Sequence, residues 1–216
     1  MKYLRQYTSQ RYLAHEYNIA KSCISTIVKW TTKLLVANNN FSLPNKVENI
    51  NDKSEDRIVD ATESKIDRPQ KRQEDWYSGK KKQHTIKTQI EIGNETLLIY
   101  SIRFAKGSTH DYKLFKNSNV DYSKENTIFI DKGYMGITKV HSNSIIPIRA
   151  SKKHKLTSVE KWYNSEISKV RITIEHVNAF IKKFKITSTR YRNRRKKFKL
   201  YMSLICGIYN FETVNL

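Results

Sequence analysis

The stretch Trp162-Tyr-Asn-Ser-Glu-Ile-Ser-Lys-Val-Arg-Ile-Thr-Ile-Glu-His-Val-Asn-Ala-Phe-Ile-Lys-Lys-Phe184 places Ile167, Val170, Ile174, Val177, Ile181 and Phe184 at alternating steps of three and four. That period is one face of an amphipathic helix. One residue further round, Ser168, Arg171, Glu175, Asn178 and Lys182 form a parallel polar stripe at the border of the buried face. Such a helix must lie on an apolar layer, with Glu175 at the seam. Two readings of Glu175 stand side by side. It is a salt-bridge partner of Arg171, worth a few tenths of a kcal/mol if exposed, or it is a functional acid.

Beyond the helix the chain turns basic, through Arg190-Tyr-Arg-Asn-Arg-Arg-Lys-Lys-Phe-Lys199. Between Lys152 and Lys199 sixteen Lys and Arg face only three acids, Glu160, Glu166 and Glu175. A merely soluble surface would mix signs. The 216-residue chain carries a formal net charge of +21, which points to a polyanionic partner, because each phosphate neutralised releases condensed counterions. A hydrophobic content of 38% is low for a globular protein and too high for a disordered one. The length suits one substantial domain with a small appendage. Cys23 and Cys206 are far apart and flanked by small or apolar residues, as expected of reduced packing cysteines in a cytoplasmic protein. No apolar run approaches the roughly 20 residues that span a bilayer, and no signal-peptide pattern opens the chain.

In chain order, Ser9 to Ile19 predicts one helix and Cys23 to Leu35 a second, with Ser22 as its N-cap. The pair is either a helix-turn-helix that lies on DNA or a plain helical hairpin. Asn38-Asn-Asn40 and Pro44 break the pattern, and Asn45 to Asp56 is a polar connector. Arg57 to Thr62 predicts a short strand ending in an acid and a small residue. Glu63 to Lys82 holds no period. Its Arg68, Lys71, Arg72, Lys80, Lys81 and Lys82, interleaved with Trp76 and Tyr77, make a basic-aromatic loop suited to phosphates and bases, or simply a solvated one. Thr85 to Ile92 alternates strictly and, across Gly93-Asn94, pairs with Thr96 to Phe104 as a hairpin. Asp111 to Lys116 predicts a short helix with Asp111 as its cap. Thr127 to Asp131 is a buried-type strand, and Ser144 to Arg149 another, near an edge because Pro147 cannot donate to a ladder. Leu200 to Phe211 closes the chain as an apolar helix. This order predicts an α/β layer architecture with a mixed sheet.

Two predicted strands end in aspartate, Asp60 and Asp131. Each is expensive there unless paired, capped or bound to a cation. Neighbouring strands would bring both together, and a helix on that sheet could present Glu175 to the same point. Three convergent carboxylates repel unless a cation sits between them. Hard oxygen ligands in small number suit Mg²⁺ or Mn²⁺, and a pair of such ions serves phosphodiester chemistry. His84, His110 and His176 have no partner at transition-metal ligand spacing, and no glycine loop cradles a nucleotide phosphate.

Six stretches now carry a resemblance: Ile58-Val-Asp-Ala-Thr-Glu-Ser64, Tyr77-Ser-Gly-Lys-Lys-Lys-Gln-His-Thr85, Gly107-Ser-Thr-His-Asp111, Asp131-Lys-Gly-Tyr134, Arg171-Ile-Thr-Ile-Glu-His-Val177 and Tyr191-Arg-Asn-Arg-Arg195. Singly weak, in this order they resemble the bacterial insertion-sequence transposases with an Asp-Asp-Glu triad, across roughly residues 3–209. The resemblance implies an RNase H-like (retroviral-integrase-like) α/β fold, a mixed five-stranded sheet flanked by helices. It implies a helix-turn-helix-like DNA-binding segment at 1–45, a linker at 46–56 and a catalytic domain at 57–216. Asp60, Asp131 and Glu175 are then the catalytic carboxylates holding two Mg²⁺ or Mn²⁺. Arg171 and Lys182 match basic positions that accompany this glutamate; Ser168 stands where a tyrosine is often found. Arg171, Lys182, Arg190, Arg192, Arg194, Arg195 and Lys196 are implied to grip backbone phosphates, and Lys80, Lys81, Lys82 and Trp76 the element end. Asp111 is left outside the triad. The implied activity is cleavage and strand transfer at element ends, with water and then the 3′-hydroxyl as nucleophile. The implied partners are double-stranded terminal repeats and target DNA, bound by a homodimer in the bacterial cytoplasm with no membrane or small-molecule substrate. Relatives carry further helical sequence ahead of the helix-turn-helix, so the segment is expected to be incomplete at its N-terminus. The alternative expectation is a truncated, non-catalytic DNA-binding remnant or repressor.

Overall fold

The computed structural model describes residues 1–41, 43, 55–117, 125–152 and 154–215. Most of the expected linker, with Pro44, lies outside the described residues. At the centre runs β1 (Arg57–Lys65), antiparallel to β3 (Gln83–Gly93) and parallel to β5 (Ile128–Ile130). Strand β3 pairs further with β4 (Ile99–Lys106) and with the two-residue β2 (Tyr77–Ser78), while β6 (Ser144–Ile145) runs parallel to β5 at the other edge. The mixed sheet has the five expected strands, β1 and β3 to β6, and the two-residue β2 adds a short sixth along β3. Strand β6 sits at the edge as Pro147 predicts, but it stops at Ile145 rather than reaching Arg149.

Strand β1 is longer than its sequence suggests. Register with β3 continues to Lys65↔Thr85, so Asp60 lies in mid-strand instead of at a strand end. The polar residues Thr62, Glu63 and Ser64 conceal this extension, because β3 supplies their ladder partners. The alternation in β3 likewise predicts one wet face, yet Thr85, Lys87, Gln89 and Glu91 are buried. The sheet is covered on both sides. One cover is an apolar cluster of Ile58, Ile90, Ile174, Val177, Ile181 and Ile205 with their neighbours; the other joins Val59, Ile128, Ile130, Phe115 and Tyr134.

Helices supply these layers. Short helices α1 (Lys2–Gln6) and α2 (Gln10–Glu16) precede α3 (Lys21–Ala37). Ser9 caps α2 through the Tyr12 N–H, and α2 ends before the predicted Ile19. The cap of α3 is Ala20, not Ser22, and it makes no side-chain bond; Ser22 falls inside the first turn. Helices α2 and α3, joined by a short turn, pack against each other through Leu13, Ala14 and Ile24. Leu4 and Tyr7 of the same segment join the main core. At its far end Phe41 meets Gly207, where any Cβ would overlap the Phe41 backbone.

After α4 (Gln73–Trp76) and α5 (Asp111–Lys116) comes the long α6 (Ser158–Lys183). Thr157 and Glu160 start α6 with a reciprocal capping box. Its apolar stripe buries as the period predicts, with Ile167, Ile174, Val177 and Ile181 inside. The single turn α7 (Lys185–Ser188) leads to the basic tract, and α8 (Phe198–Val214) packs back with Met202, Ile205 and Cys206 buried.

Candidate active site

Alternation along β1 turns Ile58 and Asp60 to one face, and Ile58 packs in the cluster that holds Ile174 of α6. Asp60 thus points toward the helix that carries Glu175. The parallel ladder Val59↔Ile130 puts Asp131, the first residue past β5, beside it. Arg171 spans the two acids, with its guanidinium 3.8 Å from Asp60 Oδ1 and 3.4 Å from Asp131 Oδ1. Asn178 donates to Asp60 Oδ2 at 3.0 Å. Burial pushes the Asp60 carboxyl above its usual range; Arg171 and the Ala61 N–H pull it down, and Asp131 and Asp111 push it up. The net direction is upward, so burial and like charge outweigh the arginine.

Glu175 stands apart from this pair. It is exposed and makes no ion pair among the described residues, so the alternative reading of it as a salt-bridge partner of Arg171 does not hold. The guanidinium goes to the aspartates instead, because two partly buried carboxylates side by side outcompete one solvated acid. Helical geometry nevertheless puts Glu175 between Arg171 and Asn178, at steps of four and three on one face, and both neighbours touch Asp60. Among the described residues no three acidic, histidine or cysteine side chains converge at metal-ligating distance.

The expected DNA-contact residues Lys80, Lys81, Lys82, Lys182, Arg190, Arg192, Arg194, Arg195 and Lys196 are all exposed. Three are also engaged within the chain. Arg192 donates to the Tyr7 carbonyl and lies over the Tyr7 ring, Arg190 approaches Asp67 at 3.9 Å, and Arg195 stacks 4.4 Å from the half-buried Trp76 ring. Trp76 also packs against the main core. His84 stands edge-on to Tyr77, and His110, not Asp111, caps α5.

Sequence reasoning overlooks a polar layer on the opposite face of the sheet. Lys87 of β3, buried, donates to Asp111 Oδ1 and to the Thr109 carbonyl, each at 2.6 Å. It also lies 3.9 Å from Glu63, its cross-strand neighbour. Tyr134 is fully buried near Gln89, and burial raises its phenol well above the usual range, with Asp111, Asp60 and Asp131 adding to the rise. Tyr134 and Asp111 lie in the quoted motifs; Lys87 carries no signal beyond being a lysine opposite a glutamate. Asn178 stands in the polar stripe, where an amide is unremarkable until Asp60 is placed beneath it.

Comparison with known proteins agrees with this architecture. The DDE superfamily endonuclease domain matches residues 59–210. A protein described as the probable transposase for insertion sequence element IS702, from Microchaete diplosiphon, is 40% identical over 214 residues, covering 98% of this chain and 78% of that relative. No solved structure matches the chain. The family implies divalent-metal dependence and DNA as the partner, and the mixed sheet flanked by helices is an RNase H-like fold. With its aspartate pair bridged by an arginine of the long helix, the chain belongs to the DDE superfamily of endonucleases and, within it, to the insertion-sequence transposases.

Proposed function

We propose that this transposase cleaves at the ends of its element and joins the freed ends to target DNA, with Asp60, Asp131 and Glu175 as its three carboxylates. Water adds to the scissile phosphorus and releases a 3′-hydroxyl. That oxygen then attacks a target phosphorus in line and displaces the target's own 3′-oxygen, so no bond to protein forms. The single observation that carries the reading is the Asp60–Asp131 pair sharing one cation, the Arg171 guanidinium. Two positions beside it also fit a hydrated cation with its phosphate. The buried Asn178 Oδ1, an acceptor, and Arg171 Nε, a donor, have no hydrogen-bond partner. Mg²⁺ or Mn²⁺, as one ion or two, held by Asp60, Asp131 and Glu175 would neutralise the phosphodiester and polarise it.

The remaining groups position DNA. Arg171, released from the aspartates, faces a phosphate oxygen with its bidentate fork. Lys182, Arg194 and Lys196, with Lys80 to Lys82, have no acidic partner among the described residues and are exposed for backbone phosphates. Residues 57–216 form the catalytic unit in this reading, and α2–α3 the duplex-binding segment, acting as a homodimer on DNA in the cytoplasm. The rival is a truncated, non-catalytic DNA binder or repressor, which would use the exposed basic residues and need no metal. The test is cleavage and joining of a terminal-repeat duplex with Mg²⁺ or Mn²⁺. The triad reading predicts metal-dependent products lost in Asp60→Ala, Asp131→Ala and Glu175→Ala. Unchanged cleavage in all three would discard it, and tight salt-dependent binding without turnover would select the rival.

A further inference from the structure

The geometry points to Asp111, clamped by Lys87, as a positioning residue for Asp131; this rests on the reading of Asp131 as a ligand. Asp131 needs external support. It comes after a strand of only three residues, and its side chain is 36% exposed, so neither ladder nor burial fixes it. The chain continues into the turn Lys132–Tyr134, and that turn is held at two points. Tyr134 is sunk in the smaller apolar cluster. Gly133 lies against Asp111, so closely that a Cβ there would come within 2.6 Å of Asp111 Oδ2.

Asp111 is itself held. Its other oxygen receives the Lys87 ammonium at 2.6 Å, and Lys87 donates to the Thr109 carbonyl at the same distance. Lys87 is 7% exposed and belongs to β3, which pairs along the whole of β1. A rigid path therefore runs from the sheet through a buried charge pair to the turn that aims Asp131. The same ammonium lies 3.9 Å from Glu63. It thereby counters carboxylates that accumulate behind the Asp60–Asp131 pair. Without it, Asp111 would be one more uncompensated negative charge felt at Asp60. Asp111 touches no reacting atom in this role; it acts through the turn, as outer partners of ligating carboxylates do.

The test measures Mn²⁺ binding by the electron paramagnetic resonance of the free ion, alongside thermal midpoints without metal, in the full chain. Asp111→Asn and Lys87→Met are expected to weaken Mn²⁺ binding about tenfold. Cleavage at saturating Mn²⁺ should change far less than the Mn²⁺ concentration needed for half-maximal rate. Gly133→Ala, which crowds Asp111, should weaken binding similarly, and Gly133→Ala combined with Asp111→Asn should bind no more weakly than either single variant, because both break the same contact. That non-additivity keeps the inference falsifiable even where Lys87→Met folds poorly, since losses that multiply to about a hundredfold would show that Gly133 and Asp111 act independently and overturn it. Asp131→Ala is the control. If it lowers Mn²⁺ binding while Asp111→Asn and Gly133→Ala do not, the positioning role is overturned alone. If Asp131→Ala itself changes nothing, the ligand reading falls and takes this inference with it.

Discussion

Two acids five residues apart, Glu55 and Asp60, are both carried in under the sheet's covering layers and are treated in opposite ways. Glu55 accepts from the Tyr100 hydroxyl, from Arg57 at 3.1 Å, from the Thr96 hydroxyl at 2.8 Å, and from the Glu95 and Thr96 N–H groups at 3.0 and 3.1 Å. Burial alone would raise its carboxyl, but these hydrogen bonds together hold it below its ordinary value. Even Gly93 is shaped to it, since a Cβ there would overlap its carboxylate. Asp60 has the Asn178 amide, the Ala61 N–H and an arginine at 3.8 Å, with two acids for company, and is held above its ordinary value. A saturated acid ties the β3–β4 turn to the start of β1. An unsaturated one stands where we propose that the cation binds.

Substitutions separate the two roles. The largest expected effect is on chemistry: Asp60→Ala should lower cleavage more than about a thousandfold, since a divalent ion held by Asp60 would supply several kcal/mol, with near-ultraviolet circular dichroism unchanged. Glu55→Ala should do the reverse. It strips a buried arginine and tyrosine of a shared acceptor, so denaturant unfolding should show a loss of about 3 kcal/mol, with residual activity tracking the folded fraction. Next comes Asp60→Asn in metal-free protein. A raised carboxyl contributes stability that is complete below its ordinary 3.8 and is lost as pH rises through the raised value. Removing the charge should therefore stabilise the protein near neutral pH, by less than the Glu55 loss. Glu55 has the opposite sign: its contribution is present above its ordinary 4.5 and lost as pH falls through the lowered value. Unfolding curves between about pH 3 and 7 should show Glu55→Gln flattening the acid limb and Asp60→Asn flattening the other. The smallest effect is expected for Asn178→Ala, about 0.5 kcal/mol. It removes one hydrogen bond to Asp60 but also an unpaired buried oxygen.

The same contrast separates what is legible in the sequence from what is not. The α6 stripe from Ile167 to Ile181 obeys its period because burial against a layer is a one-dimensional signal. Asp60 and Asp131 stand out because a carboxylate among Ile and Val is costly. Glu55 looks like part of a polar connector, since its partners Thr96 and Tyr100 lie over forty residues away and meet it only through the hairpin. Strand β1 looks short for the same reason: Glu63 and Ser64 become strand only beside Lys87 and Ile86. Helical spacing pairs Arg171 with Glu175, whereas the sheet offers it two acids at once. Local periods are written in the chain; polar pairings across the sheet are settled by tertiary placement.

The most direct measurement is the Mn²⁺-induced shift of the thermal midpoint at neutral pH, compared between the unmodified chain and Asp60→Asn. A ligand at a hundredfold excess over its Kd stabilises a folded protein by about 2.7 kcal/mol, several degrees for a chain of this size. The account predicts that shift in the unmodified chain and its loss in Asp60→Asn. An equal shift in both would contradict the claim that Asp60 is the acid that awaits the cation.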